Sequence, residues 1–312
     1  MLRVATATGF STAPIGFGDL RDCIDIRPAQ SGSDHLGLPR ALEQWKTLIS
    51  MGDQCGHMMV RRDVGRLREL VAVAIAVFVK TEFADRELAH PEPGLNARLL
   101  ESLAHGRSMI ADYEYIARAN AAGRLNQVIM YCTTRRDLLS ADEDTVVRGM
   151  LTHGYGQLFA GYRLARMLTE VVDPQDLEAL ASYPSIKVAS RFDGSERVLC
   201  VATGATFSAD PSSVAVPIFT GQAIPRFGLS RGEKEMLKEA LTGMDDAEMA
   251  MSLKRTPAAL KRRWNQIFQK VARVEPDLCP DAVGGVRGPQ KRHRILGYLR
   301  NHPEELRPYM ES

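Results

Sequence analysis

Residues 229–271 read LSRGEKEMLKEALTGMDDAEMAMSLKRTPAALKRRWNQIFQKV, and this pattern predicts three short helices joined by two tight turns. The first helix is predicted at about 231–241 and ends before Gly243, a residue suited to the left-handed position that follows a helix. The second helix is predicted at about 245–253.

The third helix has the clearest beginning and the clearest two faces. Thr256 is a favourable N-cap, and Pro257 suits the first helical position, where no N–H donor is needed. Apolar residues then recur at intervals of three and four, which is typical of one buried helix face; they are Leu260, Trp264, Ile267, Phe268 and Val271. The pattern predicts a helix-turn-helix whose third helix is the one that a DNA major groove would receive.

This stretch resembles the carboxyl-terminal domain of LuxR-type transcriptional regulators. The resemblance rests on Leu229-Ser230, Glu233, Leu237, Gly243, Glu248, Ala250, Leu253, Thr256, Leu260-Lys261, Ile267 and Lys270-Val271. It implies a unit that binds double-stranded DNA, usually as a dimer. The DNA-contacting positions that it implies are Lys261, Arg262 and Asn265, with Lys254, Arg255, Thr256 and Lys270 close by. One departure is the start of the third helix, Pro257-Ala258-Ala259, which offers few side chains for reading bases.

The distribution of charge agrees with a DNA-binding interpretation. From Arg226 to the end there are 17 Lys/Arg and 12 Asp/Glu, a net charge of +5. Because the net charge of the whole chain is +2, the preceding residues carry a net charge of −3. Between Lys254 and Arg273 there are seven basic residues and no acidic one. Basic side chains of this kind neutralise phosphates and release counterions. A solvated basic face that contacts other proteins is the alternative interpretation.

A further amphipathic helix is predicted at 290–300, behind a loop rich in Pro and Gly. Its basic residues would add phosphate contacts beside the helix-turn-helix; they are Lys291, Arg292 and Arg294. A plain exposed helix face explains the same residues equally well.

The rest of the chain is predicted to be mainly α-helical. Residues 1–36 show little periodicity and are predicted to be an irregular arm. Residues 37–225 are predicted to form a helical input domain, a bundle of about five helices. The apolar run Leu70–Val79 is half the length of a membrane span and is interpreted as a buried core helix of that bundle. The helices are predicted near 39–49, 63–79, 95–122, 126–139, 142–172 and 176–181.

A small antiparallel β element is predicted at about 186–218. Residues 186–192 alternate in polarity, as in a strand, and Asp193-Gly194 is a strong hairpin turn. Residues 198–201 are predicted to be the second strand of the hairpin. Residues 214–218 are predicted to be a third strand. The fold class predicted from the sequence is therefore a helical bundle with a small β-hairpin or sheet, followed at 226–312 by a LuxR-like helix-turn-helix domain with an extra C-terminal helix.

One patch of the helical domain is a candidate ligand pocket. Several glycines cluster near Tyr155, and each glycine inside a helix costs about 1 kcal/mol relative to alanine, so close packing or room for a ligand is expected. Tyr155 and Tyr162 are seven residues apart, and with Tyr113 and Arg166 they would line a pocket for a small aromatic or heterocyclic effector. Tight packing of helices is the alternative. The sequence suggests no cofactor, no metal ligand set and no catalytic pair, so no enzyme is predicted.

The five cysteines are scattered and form no metal or disulfide motif, and residues 1–10 lack the apolar core of a signal peptide. These features predict a cytoplasmic protein of bacterial type without a membrane partner. The sequence thus predicts a homodimeric DNA-binding transcriptional regulator with a sensor domain. A polymerase- or sigma-associated adaptor that contacts RNA polymerase and a small-molecule-binding protein are the alternatives.

Overall fold

A computed structural model describes residues 9–26, 38–65, 67–106, 108–181, 184–207, 216–221, 224–280 and 288–310. The chain divides into two compact units. One comprises Leu2–Gly221 with Met310–Ser312 and is called the sheet domain; the other, Gln222–Tyr309, is called the helical unit.

The sheet domain is built on seven strands in the order β1-β2-β3-β4-β5-β7-β6. The strands are β1 (Phe10–Ala13), β2 (Cys55–Val64), β3 (Leu67–Val79), β4 (Leu125–Thr134), β5 (Leu164–Val171), β6 (Ile186–Arg191) and β7 (Val198–Thr203). The helices between them are α1 (Leu20–Asp25), α2 (Leu38–Ile49), α3 (Thr81–Ala89), α4 (Leu95–Ala104), α5 (Tyr113–Ala121), α6 (Ala141–Phe159), α7 (Pro174–Ala181), α8 (Gly204–Phe207) and α9 (Val216–Thr220). The prediction of a mainly α-helical fold is therefore wrong, because a mixed sheet covered by helices is an α/β architecture.

The apolar run Leu70–Val79 is a central strand, not a core helix. It lies within β3, which pairs with β2 on one side and β4 on the other. Val73, Ile75 and Val77 pack into one core cluster, whereas Ala74 packs into another on the opposite face. A strand buried on both faces is apolar at every position, so the run resembles a buried helix in composition.

Two more predicted helices are wholly or partly strands. Residues 126–139 were predicted to be helical, but most of them form β4, whose Val128, Ile129, Tyr131 and two threonines favour the extended backbone. The long predicted helix at 142–172 ends at Phe159, and its second half is β5. Residues 1–36, predicted as an irregular arm, contain β1 and α1 within their described part.

The hairpin predicted from Asp193-Gly194 is confirmed. Strands β6 and β7 pair antiparallel, with Arg191 opposite Val198 and Gly194 in a left-handed conformation at φ +70°. This hairpin is the edge of the large sheet and does not form a separate small element. The third strand predicted at 214–218 is wrong over its described part, since Val216–Thr220 is helical.

Strands β4 and β5 form the parallel pair of the sheet, and they separate toward their carboxyl ends. Their register runs from Leu125 opposite Leu164 to Ile129 opposite Thr169 and ends there. Strand β4 continues to Thr134 and β5 to Val171. The carboxyl ends of such strands are where open α/β sheets place their ligands.

The helical unit contains α10 (Arg231–Leu241), α11 (Asp246–Ser252), α12 (Pro257–Val274) and α13 (Gly288–Asn301). The helices predicted from periodicity in this part of the chain are confirmed. Thr256 caps α12 by accepting the N–H of Ala259 at 3.2 Å. Trp264 and Ile267 lie in a core that belongs to this unit alone.

A half-buried histidine makes the stability of the sheet domain depend on pH. His57 Nδ1 in β2 accepts the backbone N–H of Ile15 at 3.1 Å, and burial lowers the pKa of His57 below its ordinary value of 6.5. The unfolded chain therefore binds this proton more readily than the folded one, and stability falls as pH drops below about 6.5. The slope from one such group is at most about 1.4 kcal/mol per pH unit.

Urea unfolding at about pH 7.5 and about pH 5.5 is expected to show this loss in the wild type and a smaller loss in His57→Asn. The exposed His105 supplies the matched control, and His105→Asn is expected to keep the wild-type pH dependence. Equal pH dependence in all three proteins would contradict the role of His57.

Candidate functional site

A cavity of about 160 Å³ lies between helix α6 and the face of the sheet that α6 covers. Three small residues on neighbouring strands, Gly56, Ala74 and Ala76, leave room beneath the helix. A dry cavity of about 150 Å³ accepts an aromatic ring such as benzene, so this space is large enough for an organic group. Most of the lining is apolar and includes Met58, Ile129, Leu151, Leu158, Phe159, Met167, Leu180, Ile186 and Phe207.

The polar residues at one end of the lining come from the carboxyl end of β4, the middle of α6 and the start of α7; they are Cys132, Thr134, Arg148, Thr152 and Asp176. Ser185 also lines the cavity, but it precedes Ile186, which the strand register places level with Met167 and Gln127, near the start of β4. The apolar far end is formed where Phe159, at the end of α6, meets Gly56. Residues 148 and 159 lie about 16 Å apart along the helix. The cavity therefore has a polar end, near the separation of β4 and β5, and an apolar end.

Asp176 is the one carboxylate among the described residues that line the cavity. Its Oδ1 accepts from Arg136 and lies 3.6 Å from the Arg148 guanidinium. Burial raises the pKa of Asp176 above its ordinary value of 3.8, and the charge of Arg136 opposes this rise. No hydrogen bond to Oδ2 is present among the described residues, so this oxygen can accept a proton from a ligand.

Arg148 is held in place by acidic partners on both sides. Its Nε donates to Asp144 Oδ2 at 2.7 Å, and Asp144 Oδ1 accepts from the Thr134 hydroxyl at 3.2 Å. This chain of contacts fixes the end of β4 against α6. It also fixes the guanidinium at the polar end of the cavity.

Ser185 carries a buried hydroxyl group that has no hydrogen-bond partner in the described part of the chain. The residue is 1% exposed, it lines the cavity, and its Oγ makes no hydrogen bond among the described residues. An unpaired buried hydroxyl costs about 1–3 kcal/mol, and most buried polar groups avoid this cost. The hydroxyl is therefore a candidate donor to a bound ligand.

Cys132 lines the polar end but is a poor nucleophile at neutral pH. Desolvation, together with the negative charge of Asp176, raises the pKa of its thiol to about 11. The thiolate is the reactive form, so this cysteine remains protonated and unreactive. Covalent chemistry at this site does not begin from Cys132.

The structure separates the residues of the predicted tyrosine pocket. Tyr155 lines the cavity, and its hydroxyl donates to Gln127 Oε1 and contacts Met167 Sδ at 3.3 Å. Tyr162 is buried against Phe159, beyond the end of α6. Arg166 lies in β5 and pairs with Asp85 at 2.6 Å, and Tyr113 begins α5, so neither of these two residues lines the cavity.

Several of the predicted DNA-contacting residues are used inside the helical unit. Lys270 Nζ donates to Gly228 O and Glu233, at 2.9 and 2.7 Å. Arg292 pairs with Asp246 and lies over the Trp264 ring at 4.6 Å. Arg294 donates to the Asp277 carbonyl at 3.1 Å. The other predicted residues are exposed, except for the half-buried Lys291; they are Lys254, Arg255, Thr256, Lys261, Arg262 and Asn265.

Comparison with known proteins gives matches among solved structures only. A scan against protein families and a search of curated proteins return no match. One matching structure is the C-terminal condensation domain of Ebony in complex with β-alanyl-dopamine, at 11% identity and TM-score 0.37, covering 62% of this chain and 98% of that chain. A second is apo FdhC, a nucleotide-linked sugar GNAT, at 8% identity and TM-score 0.36, covering 67% and 94%. A third is FeeM, an N-acyl amino acid synthase from uncultured soil microbes, at 9% identity and TM-score 0.36, covering 62% and 89%.

These findings correct the interpretation drawn from residues 229–271. The chain folds mainly around a seven-stranded sheet, and none of the three matched structures is described as a LuxR-type or other DNA-binding regulator. The predictions of a non-enzymatic transcriptional regulator, of an adaptor, and of DNA, RNA polymerase and a homodimer as partners are wrong. Because the TM-scores are below 0.5, the matches do not carry the proposal below, which rests on the cavity.

The prediction of the site from sequence missed Asp176, Ser185 and Arg148. Ser185 follows Tyr183-Pro184, and the sequence marks this point only as a change from helix to strand. Asp176 was placed in a short helix, which the structure contains as α7, but no motif marks its carboxylate. The small residues of β3 were the available signal for a cavity, since alanine alternates with larger residues from Val71 to Val77.

Among the described residues, no helix has the length and apolar character needed to cross a bilayer.

Proposed function

We propose that the sheet domain is an acyl-transferring enzyme, which holds the aliphatic chain of an acyl thioester in the cavity and transfers the acyl group to an amine. The observation that carries this proposal is a cavity with apolar walls whose polar end holds the Asp176 carboxylate and the Arg148 guanidinium. Apolar walls favour a hydrocarbon chain, and few but convergent polar groups are what orients a ligand in such a site.

The reacting end of the ligand is placed at the polar end of the cavity. The amine nitrogen attacks the thioester carbonyl carbon, so that a C–N bond forms and the C–S bond breaks. Asp176 Oδ2 accepts the proton that the nitrogen loses, and the leaving thiolate takes up a proton to become a thiol. The products are an amide and a thiol, and no group is oxidised or reduced.

Two features of the chain support this placement. The raised pKa of Asp176 brings it closer to the working range of a general base. The Arg148 guanidinium, which lines the same end of the cavity 3.6 Å from Asp176, can donate to the carbonyl oxygen, on which negative charge develops during the attack.

The separation of β4 from β5 supports a donor with an extended, amide-containing arm. Beyond Ile129 and Thr169 the two strands no longer pair with each other. Backbone groups at an opened strand edge recognise extended chains by adding them to the sheet. A pantetheine arm has this shape and carries two amide groups, so the donor tested first is an S-acyl-pantetheine.

The proposal is tested with the full-length protein and a medium-chain S-acyl-pantetheine. Titration calorimetry is expected to show saturable binding, and incubation with a mixture of amino acids and other primary amines is expected to yield an amide, detected by mass spectrometry. Saturable binding without amide formation would overturn the proposed transfer, and absence of binding would overturn the proposed ligand class.

Ser185→Ala separates a ligand contact from a structural role. Because the hydroxyl has no hydrogen-bond partner among the residues that the structure describes, its removal is expected to leave the free energy of unfolding unchanged or slightly higher. Ligand affinity or turnover is expected to fall by about tenfold, the value of one lost hydrogen bond. Thr47→Ala, on the exposed face of α2, is the control. A loss of stability in Ser185→Ala without loss of turnover would contradict the ligand contact.

We also propose a cytosolic location. The cysteines at positions 23, 55, 132, 200 and 279 are free thiols, as is usual for proteins of reducing compartments.

A further inference from the structure

Helix α6 and strand β2 pack through two reciprocal contacts between a glycine and a large side chain. A Cβ atom on Gly56 of β2 would lie 2.3 Å from Phe159 Cζ of α6. A Cβ atom on Gly154 of α6 would lie 2.3 Å from Met58 Cε of β2. Each large side chain therefore fills the space that a glycine leaves on the opposite element. Together the two contacts close the cavity where α6 crosses β2.

The strand register places Met58 at the end of a row that starts beside the polar groups. Met58 pairs with Ala74, and Ala74 pairs with Cys132, so the three residues lie side by side on β2, β3 and β4. Directly paired residues share one face of a sheet, and all three line the cavity. Two strand spacings separate Cys132 from Met58, a distance of about 10 Å.

We infer that Met58, held by its contact with Gly154, is the end wall of the cavity and sets the length of acyl chain that the site accepts. This inference rests on the proposed function, since it concerns the substrate of the same site. A chain whose carbonyl lies near Asp176 runs over Ala74 and meets Met58. A longer chain must displace this side chain.

Of the two large residues at the closed end, Met58 is the one that can move. Phe159 is fixed among aromatic rings, with its centroid 4.9 Å from Tyr155, 5.7 Å from Phe78 and 6.3 Å from Tyr162. Met58 has three rotatable bonds and a flexible thioether, and it presents only its tip to Gly154. Chain length is therefore decided at Met58.

The experiment compares the binding of straight-chain S-acyl-pantetheines of increasing length to full-length variants. Met58→Ala removes three heavy atoms from the end wall, so the longest chain that still gains affinity is expected to grow by roughly two to three carbons. Each additional methylene that the enlarged cavity buries is expected to improve affinity about fourfold. Met150→Ala is the matched control, because Met150 is a buried methionine of α6 outside the cavity lining.

Gly154→Ala is expected to shift the preference in the opposite direction. The new methyl group displaces the tip of Met58 toward the cavity, so the cavity becomes shorter. The substitution is compatible with the helix, because alanine favours a helix more than glycine does. The double variant Gly154→Ala/Met58→Ala is expected to prefer long chains again, since no side chain remains for the methyl group to push.

The outcomes distinguish this inference from the proposed function. If the wild-type protein binds no S-acyl-pantetheine of any length, both the proposed function and the inference that Met58 is the end wall are wrong. If the wild type binds but Met58→Ala and Gly154→Ala keep its preference for chain length, only the inference that Met58 is the end wall is overturned. A shift of equal size in Met150→Ala would also overturn it, because the change would then come from general loosening of α6.

Discussion

Replacing Asp176 by asparagine is expected to lower the rate of acyl transfer by about 10²- to 10⁴-fold, the range associated with loss of a general base. The amide has nearly the shape of the carboxylate, but it cannot accept the proton that the attacking amine releases. Binding of the acyl thioester is expected to change little, since the aliphatic chain lies against the apolar walls. The measurement is a pair of experiments on the same variant, turnover by mass spectrometry and affinity by titration calorimetry.

The pH profile adds a second readout for the same residue. Burial raises the pKa of Asp176 above its ordinary value of 3.8, and the base acts only when it is deprotonated. Turnover of the wild type is therefore expected to rise with pH through the raised pKa, and this limb is expected to disappear from the residual activity of Asp176→Asn.

Asp173→Asn is the matched control for Asp176→Asn. Asp173 also faces Arg136, at 3.5 Å, but it does not line the cavity. Its replacement is expected to leave turnover close to that of the wild type. If both variants lose turnover equally, Asp176 acts through Arg136 and the fold of this segment, and the assignment as base is wrong.

Ala74→Phe is expected to abolish binding of the acyl chain. Ala74 lies in the middle of the row that connects the polar end to Met58, and a phenyl ring there occupies the path of the chain. If about four methylene groups are excluded, at about 0.8 kcal/mol each, affinity falls by about 100-fold or more. Titration with a medium-chain S-acyl-pantetheine measures the effect directly.

The cavity limits the damage that this substitution does to the fold. Added volume in a filled core costs about 1–3 kcal/mol, but the ring enters a space of about 160 Å³. The free energy of unfolding of Ala74→Phe is therefore expected to stay close to that of the wild type. Ala104→Phe, at an exposed position at the end of α4, is the control, and unchanged binding in Ala74→Phe would contradict an acyl site in this cavity.

The helical unit was predictable because its information is local. Capping residues such as Thr256 and the spacing of Leu260, Trp264 and Ile267 act within one or two helical turns, and α12 forms where they indicate. The resemblance to a regulator rested on the same local features. It covered only this unit, and the structure uses Lys270, one of the residues it implied for DNA, to hold Gly228 and Glu233.

The sheet was missed because its central strands are buried on both faces. The alternation of alanine with larger residues in Leu70–Val79 has the period of a strand, but the absence of polar residues hides this period when only hydrophobicity is considered. Because ten consecutive apolar residues are long enough for a helix, the segment was interpreted as a buried helix. The β-branched content of the segment was the better guide.

The candidate site could not be predicted, because its residues meet only through long-range pairing. Met58, Ala74 and Cys132 become neighbours through two strand pairings, and Asp176 joins them from α7, while Ser185 lines another part of the same cavity. No local spacing encodes such a set. Tyr155 was singled out from its glycine-rich surroundings and does line the cavity, but its predicted companions lie elsewhere.

The central claim is that an acyl chain lies between α6 and the sheet. It is tested most directly by a crystal structure with a medium-chain S-alkyl-pantetheine thioether, which cannot transfer its chain. Density for the alkyl chain is expected to run from Cys132 over Ala74 to Met58, with the sulfur beside Asp176. An empty cavity with the thioether bound elsewhere, or a chain that enters with its polar end at Met58, would contradict it.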